Sequence, residues 1–345
     1  MEKSAQEVVL TVSSSPHVRC NESIPKIMWT VVATLVPAAA FGVYYFGFNA
    51  LLNIIVSIVS AVFFEWAWEK FMHKKITIND GSAVITGLLL AMCCSPILPW
   101  WMCIVGSFIA IVVCKQAMGG LGYNLFNPAH VGRAGLMVSW PVAMTTWTQV
   151  NGSVIDGVAG ATPLNVLKQS GYDALLQLFN NDPMTMYQNM FLGFRNGSMG
   201  ETSTVLLILG GLFLMYKGYV KWQATVAMIA TVGILMWVFG GAVGAHATGG
   251  LFTGDPIFHM MAGGLIIGAF FMSTDMVTAP ITLKGQLIFA VGAGVLTVLI
   301  RLLGGYPEGV CYSILLMNAV TPLIDLTVKP RIFGSVKVKA CLLYT

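Results

Sequence analysis

Charged residues are scarce in this chain of 345 residues, of which Asp, Glu, Lys and Arg together make up only 9%. Soluble domains carry about 25% charged residues, and a protein of this size needs them to cover its surface in water. The scarcity excludes an ordinary soluble enzyme, a disordered chain and a nucleic-acid-binding protein. Apolar residues reach 57%, and their long runs indicate an all-α polytopic membrane protein.

Paired cysteine motifs, a leader peptide and a dinucleotide-binding fingerprint are also missing. None of the seven cysteines forms a CxxC pair, so we expect neither an iron–sulfur nor a zinc site within this chain. Most lie in apolar runs and are expected to be small buried side chains. Residues 1–25 are polar, so no cleavable signal peptide is expected there. Without a Rossmann fingerprint, the chain is not expected to bind NAD itself.

Apolar runs long enough for a membrane span, which takes about 20 residues, recur along the chain. The third and eighth runs are short and interrupted by glycine, and the fifth contains Arg133. The sequence predicts about ten transmembrane helices, at 27–47, 50–70, 82–96, 98–117, 126–146, 202–217, 224–243, 257–273, 285–303 and 309–326.

Lysine and arginine are distributed unevenly between the two sides of these spans. With the N-terminus in the cytoplasm and ten crossings, fourteen of them fall on the cytoplasmic side and three, Lys168, Arg195 and Arg301, on the other. Such a bias predicts the orientation by the positive-inside rule. Both termini are therefore predicted to be cytoplasmic, and the loop at 147–201 to be external.

Five predicted spans precede the external loop and five follow it. An odd number of spans per half places the halves in opposite orientations, which predicts two inverted five-helix repeats with short broken segments. The predicted parts are a cytoplasmic N-terminal tail at 1–26, a first membrane repeat at 27–146, the external loop at 147–201, a second membrane repeat at 202–326 and a cytoplasmic C-terminal tail at 327–345.

The external loop contains a short polar motif, since residues 156–162 read DGVAGAT and Pro163 follows. From the residue types alone, Asp-Gly and Thr-Pro are typical of turns. The motif also resembles the flavin-attachment sequence D-G-x-[ST]-G-A-T of the NqrB and RnfD membrane subunits of bacterial redox pumps, with Ala159 in place of the usual hydroxyl residue. Both interpretations remain open at this point.

Two further segments are similar to motifs of the same family. Residues 122–129 read GYNLFNPA, which resembles its N-x-F-N-P-A motif, and residues 272–279 read MSTDMVTA, which resembles T-D-P-V-[ST]-A with Met276 in place of proline. The three motifs occur in the family's order, and the ten-span pattern covers nearly the whole chain. The short N-terminal tail makes the chain more similar to RnfD than to NqrB.

The resemblance implies a set of cofactor residues. Thr162 would carry FMN, joined through its side-chain oxygen to the flavin phosphate by a Mg²⁺-dependent flavin transferase that uses FAD. Asp156, Gly160 and Ala161 would complete the attachment motif. Asn124 and Asn127 would lie near a second, non-covalent flavin, riboflavin, although both are equally suited to capping the start of a helix.

The resemblance also implies a function, in a fold akin to that of the urea transporters. The chain would be a membrane subunit of the Rnf complex in the bacterial cytoplasmic (inner) membrane. It would pass electrons between ferredoxin-side and NAD-side partners, coupled to Na⁺ or H⁺ translocation, without a complete active site of its own. Partners would include iron–sulfur and FMN-bearing Rnf subunits, the flavin transferase and membrane lipid, but no nucleic acid.

Several charges lie inside or beside the spans. Arg133 is too costly at that depth to be unpaired, and its candidate partners are Asp275, Glu65, Glu69 and Asp325. Arg133 and Asp275 are candidates for an ion pathway or a buried charge. Glu65 and Glu69 could anchor an interface beside Lys70 or form a cation entry ring. Asp80, Asp255 and Asp275, at the ends of the broken segments, could bind Na⁺. His246 and His259 are expected to be loop or interface residues.

Two alternatives remain. The chain could be an NqrB-type subunit of the Na⁺-translocating NADH:quinone reductase, which shares the chemistry. It could instead be a channel or transporter for a small solute, because an inverted five-span repeat also suits that class. A plain transporter has no need for Thr162 or for a long external loop.

Overall fold

The computed structural model describes residues 22–147, 161–179, 181–242, 250–306 and 308–330, and these residues form helices and connecting turns without a strand. The helices are α1 Ile24–Phe46, α2 Phe48–Phe71, α3 Ser82–Met92, α4 Trp100–Phe108, α5 Pro128–Ser139, α6 Pro141–Thr145, α7 Pro163–Gln177, α8 Pro183–Leu192, α9 Thr204–Tyr216, α10 Trp222–Phe239, α11 Pro256–Met261, α12 Leu265–Ile267, α13 Leu283–Leu303 and α14 Val310–Thr327.

Five of these helices, α1, α2, α10, α13 and α14, are long and apolar enough to cross a membrane. Shorter apolar helices cover Ser82–Met92, Trp100–Gln116 and Thr204–Tyr216. Each of the ten predicted spans contains helix, but the count of ten crossings remains a prediction. Many large apolar side chains on these helices are exposed, as expected for surfaces that face lipid. The chain is therefore a multi-pass, all-helical membrane protein.

Several helices, long and short, end where glycine or proline breaks the helical backbone. A single residue joins α1 to α2, and this residue, Gly47, has φ +80°, a conformation that side-chain-bearing residues rarely adopt. Gly263 and Gly264 have φ +67° and +66° and separate α11 from α12. Proline at 96 and 99 interrupts the chain between α3 and α4.

Two helices continue in the wider π conformation. α4 runs on as a π-helix over Ile109–Gln116, and α12 continues as one over Gly268–Met272. Such segments are rare and often occur at functional sites. Lys115 lies on the first segment, and Phe270 and Phe271 lie on the second.

The ends of the short helices meet in the interior. Cys93, which follows α3, lies with its sulfur 3.9 Å from that of Met272. On the other side, the Cys311 thiol of α14 donates to the carbonyl oxygen of His130 in α5 at 3.6 Å. The five described cysteines are all free and buried, which confirms the prediction made for them.

The predicted external loop contains folded structure. α7 and α8 share a small apolar core with α11, formed by Leu164, Leu167, Leu175, Phe179, Met186, Met190, Phe258 and Ala262. Asp182 begins α8 by accepting from the backbone N–H groups of Met184 and Thr185, both at 3.1 Å. The helix that follows Thr162 is therefore packed onto the membrane helices.

Candidate functional site

A cavity between α1, α3, α9 and the segments around Asn124 and Asp275 brings together three residues that the sequence singled out separately. Its empty space, including the part open to solvent, is about 820 Å³. We call it the α1–α9 cavity. It is lined by Ile27, Met28, Val31, Ser82, Ile85, Thr86, Leu89, Lys115, Leu121, Asn124, Asn127, Pro128, Ala129, Leu214, Tyr219, Val220, Phe270, Phe271, Thr274, Asp275, Met276 and Val277.

Asn127 caps α5 as its sequence context predicts. Its side-chain oxygen accepts from the backbone N–H groups of Ala129 and His130 at 3.1 and 3.5 Å. Its amide also donates to the carbonyl oxygen of Met272 at 3.4 Å. Asn127 thus joins α5 to the π segment of α12 at the wall of the cavity.

Within the described part of the chain, only the NH₂ group of the Asn124 side-chain amide has a hydrogen-bond partner. Its NH₂ donates to the carbonyl oxygen of Phe126 at 3.2 Å. The side-chain oxygen is buried and has no hydrogen-bond partner among the described residues. A buried acceptor left alone costs free energy, and this one lies at the wall of a cavity. Asn124 therefore has the geometry of a ligand-binding residue, whereas Asn127 is mainly a structural cap.

Lys115 is one of the fourteen basic residues counted on the cytoplasmic side, and the structure shows that it is buried, with 1% of the residue exposed. Its ammonium group lies 2.6 Å from both the Glu65 carboxylate and the Ser82 hydroxyl. Gln116 donates to the same carboxylate oxygen at 2.8 Å. Lys115 lines the α1–α9 cavity, so a buried cation faces this space.

Glu65 and Glu69 do not form the suggested ring or surface anchor. Both are buried, and they have different partners. Glu65 pairs with Lys115, whereas Glu69 accepts from the backbone N–H and hydroxyl of Thr77 at 3.0 and 2.5 Å. Neither is near enough to pair with Arg133 in the described structure.

Arg133 is buried and paired as predicted, but all four candidate partners were wrong. Its guanidinium forms a salt bridge with Glu308, which immediately precedes α14. Glu308 falls between two predicted spans, and no residue pattern indicated that α5 packs against the start of α14. Asp325 instead accepts from the backbone N–H of Ile281 at 3.1 Å.

The aspartates at the ends of the broken segments act in capping and turns. Asp80 accepts from the backbone N–H and hydroxyl of Ser82 at 2.8 and 2.6 Å. Asp255 caps α11 by accepting from the N–H of Phe258 at 3.0 Å. Asp275 is half-buried at the wall of the α1–α9 cavity and accepts from Thr278 at 3.2 Å. These hydrogen bonds occupy carboxylate oxygens that could have bound a cation.

Thr162 begins α7. Its side-chain oxygen accepts from the backbone N–H of Asn165 at 3.2 Å, and the residue is 2% exposed. Ala161 precedes it at intermediate exposure. Asp156 and Gly160 lie outside the described residues, as does His246. The N-terminus of an α-helix carries partial positive charge and favours a phosphate group, so the position of Thr162 suits the predicted phosphoester.

Two cations, Lys168 of α7 and Arg301 of α13, lie where these two helices meet. The Lys168 ammonium donates to the carbonyl oxygens of Arg301, Gly304 and Tyr306, which end and follow α13. Burial lowers the pKa of Lys168. Arg301 is 1% exposed and donates to the carbonyl oxygens of His259 and Ala262 at 2.6 and 2.7 Å. These contacts fix α7 and α11 on the end of α13.

Gly263 allows this close approach. A Cβ atom at this position would lie 2.8 Å from a guanidinium nitrogen of Arg301 and 3.0 Å from a methyl carbon of Leu164. Leu164 follows Thr162 by two residues, so the start of α7 lies against the break between α11 and α12. The sequence offered one signal for this contact, the Gly-Gly pair itself.

A second cavity, which we call the tyrosine cavity, lies beside α7, α8 and α11 and is lined by Leu167, Tyr172, Tyr187, Gly240, Thr253, Gly254, Asp255, Pro256, Ile257, Phe258 and His259. The Tyr187 hydroxyl donates to Asp255 at 2.6 Å. Burial and this carboxylate raise the pKa of Tyr187. His259 lies in α11 and is 2% exposed, so it is not the loop residue that was one of its two predicted roles.

Sequence reasoning missed one further buried group. Arg195 donates to the carbonyl oxygens of Glu201 and Met261, the shortest of these bonds being 2.7 Å. The Glu201 carboxylate accepts from Ser198 at 2.9 Å. Arg195 and Glu201 were placed in an external loop, where charges are ordinarily solvated, so no residue pattern indicated their burial. No group of three metal-ligating side chains occurs in the part of the chain that the structure describes.

Comparison with known proteins agrees with the three motifs. Residues 11–334 match the model of the NQR2, RnfD, RnfE family. The chain is 63% identical to the D subunit of the proton-translocating ferredoxin:NAD(+) oxidoreductase complex of Clostridium ljungdahlii, over 95% of this chain and 97% of that protein. It is 43% identical to the D subunit of the Na(+)-translocating ferredoxin:NAD(+) oxidoreductase complex of Acetobacterium woodii, over 96% and 98%. Identity to the D subunit of the ion-translocating oxidoreductase complex of Stutzerimonas stutzeri is 38%, over 91% and 93%.

Proposed function

The chain belongs to the NQR2, RnfD, RnfE family, and we propose that it serves as the RnfD-type membrane subunit of an ion-translocating ferredoxin:NAD⁺ oxidoreductase. The observation that carries this conclusion is the similarity to subunits of that complex along almost the whole length of both chains. Other Rnf subunits are the expected partners. They would supply the iron–sulfur clusters, a further flavin and the nucleotide site.

We propose that Thr162 holds FMN through a phosphoester. The hydroxyl lies at the N-terminus of α7, where the helix dipole favours an anionic group, and Lys168 of the same helix anchors it to the end of α13. Transfer of FMN from FAD to the hydroxyl forms the Thr Oγ–phosphorus bond and releases AMP. Since the side chain is 2% exposed, the transferase needs the segment around Thr162 to move aside or to be modified before it packs.

We propose that the α1–α9 cavity holds riboflavin. Its wall provides an unpartnered acceptor on Asn124 and apolar side chains from α1, α9 and the π segment of α12. The only charged groups among its lining residues are Lys115, which is already paired with Glu65, and Asp275, whose carboxylate would repel a phosphate. The donors at the start of α5 are already occupied by Asn127. These features favour a flavin without a phosphate group.

The bound flavins would supply the electron-carrying chemistry, and the protein determines where they lie and how polar their surroundings are. At one site, α7 presents Thr162 and is fixed by Lys168 and Arg301. At the other site, Lys115 and Asn124 direct polar groups into a largely apolar space. The complex would couple electron flow to movement of Na⁺ or H⁺.

We further propose that the chain crosses the bacterial inner membrane ten times as two inverted repeats, with both termini in the cytoplasm and Thr162 outside. The charge bias supports this orientation. Two contacts support the repeat. The end of α3 meets the end of the π segment of α12, and the start of α5 meets the start of α14. Corresponding elements of the two halves thus meet in the interior.

Mass spectrometry of the complex from its native host tests the covalent flavin. We expect the peptide that contains Thr162 to carry the mass of FMN less one water. Thr162→Val removes the hydroxyl with little change in shape and should abolish the modification, whereas Thr162→Ser keeps a hydroxyl and serves as the matched control for folding and assembly. Covalent flavin on the Val variant, or an unmodified peptide in native membranes, would overturn the assignment of Thr162.

A further inference from the structure

We propose that the α1–α9 cavity binds the isoalloxazine ring of its flavin in a single orientation, with the imide edge of the ring against Asn124 and Lys115. The imide edge is the sequence C2=O, N3–H and C4=O, which presents a donor between two acceptors. This proposal rests on the proposed riboflavin site and adds which edge of the ring is held and by which side chains.

Asn124 supplies the acceptor. Its NH₂ is committed to the carbonyl oxygen of Phe126, which leaves the side-chain oxygen turned away from that bond, buried and without a partner among the described residues. Buried acceptors are satisfied in almost all folded proteins. Asn124 lines the cavity, so a donor on a bound molecule satisfies this oxygen. The N3–H group is the donor of the isoalloxazine ring.

Lys115 supplies the donor. An ammonium group has three N–H donors, and two of them are used by Glu65 and Ser82 at 2.6 Å each. The third is available to a molecule in the cavity that Lys115 lines. A carbonyl oxygen of the imide edge, on either side of N3–H, accepts from it. The bond is charge-assisted and therefore strong in a largely apolar site.

The remaining walls suit the rest of the flavin. Ile27, Leu214 and Phe270 provide apolar surface for the dimethylbenzene end of the ring. Asp275 also lines the cavity, and its carboxylate can accept from the hydroxyl groups of a ribityl chain. The polar contacts with the ring thus come from Asn124 and Lys115, whereas α1, α9 and the π segment of α12 provide its apolar surroundings.

The test compares riboflavin with 3-methylriboflavin, in which a methyl group replaces the N3 hydrogen. Both are added to the purified complex after its non-covalent flavin has been removed, and binding is followed by flavin fluorescence. We expect the wild-type complex to bind 3-methylriboflavin at least tenfold more weakly, because the methyl group removes the donor and leaves the Asn124 oxygen alone. This comparison needs no variant.

Three variants assign the effect to residues. Asn124→Ala should bind riboflavin about tenfold more weakly and no longer distinguish the two flavins. The double variant Lys115→Met with Glu65→Met removes a buried ion pair as a unit and should also weaken riboflavin binding. Thr231→Val is the matched control, since Thr231 is not among the residues that line the cavity and its hydroxyl donates within α10 to the carbonyl oxygen of Ala227 at 2.7 Å. Its affinity and discrimination should remain those of the wild type.

The possible results distinguish the proposed ring orientation from the riboflavin site on which it depends. If the wild-type complex binds neither flavin, the riboflavin site itself is wrong. If riboflavin binds but the two flavins bind equally well, or if discrimination survives in Asn124→Ala, the orientation is wrong and the site stands. The amount of covalent FMN on Thr162 is measured by mass spectrometry on the same samples and reports whether each variant has assembled.

Discussion

The salt bridge between Arg133 and Glu308 gives the most direct test of how α5 packs against α14. Arg133→Met removes the guanidinium and leaves the Glu308 carboxylate, 9% exposed, without its partner. Breaking a buried pair from one side costs about 3–5 kcal/mol, whereas replacing both members by apolar residues is often neutral. We therefore expect Arg133→Met to lower the free energy of unfolding by about 3–5 kcal/mol. The double variant with Glu308→Met should regain most of that free energy.

The assay is the free energy of unfolding of the detergent-solubilised complex in a titration with SDS. The control combines Arg133→Met with Asp275→Asn. Asp275 was a candidate partner, but the structure places it with Thr278 and Val277, so this change should give no recovery. The pairing would be refuted by an Arg133→Met variant as stable as the wild type, or by a Glu308→Met double variant no more stable than the single one.

Two other positions give separate tests of how α7 is held. Lys168→Met removes the hydrogen bonds to the end of α13 and should lower the free energy of unfolding by about 1–3 kcal/mol. Chymotrypsin should then cleave the α7–α8 region faster, whereas the exposed Lys284→Met should not change the rate, and an unaffected Lys168→Met would show that the lysine does not anchor α7. Gly263→Ala combines a disfavoured φ with a 2.8 Å contact to Arg301 and should lower stability by about 1–3 kcal/mol. Gly305→Ala, where a Cβ meets nothing within 4 Å, should be neutral in the same titration.

Helix positions could be predicted from the sequence because they depend on local runs of apolar residues. Every predicted span contains helix, and Asn127 caps α5 as its position before Pro128 suggests. The broken segments follow from glycine and proline, whose backbone restrictions do not depend on distant contacts. These parts of the structure are encoded within a few residues of where they occur.

Charge pairing could not be predicted in the same way. Arg133 and Glu308 are 175 residues apart, and Glu65 and Lys115 are 50 apart, so their contacts depend on which helices pack together. Lys115 was only counted on the cytoplasmic side, although a mostly apolar run precedes it, and that run was the available sign of its burial. The unpartnered oxygen of Asn124 is a matter of hydrogen-bond geometry, which no residue pattern reports.

The two π segments provide a way to change which side chains line the α1–α9 cavity. Each holds more residues per turn than an α-helix, so reversion to α hydrogen bonding would push one residue out of the turn. Every side chain beyond that point would then rotate by about 100°, the angular step of one residue. Lys115 lies on one such segment, and Phe270 and Phe271 lie on the other. A shift of one residue in either helix would therefore exchange the side chains that line the α1–α9 cavity.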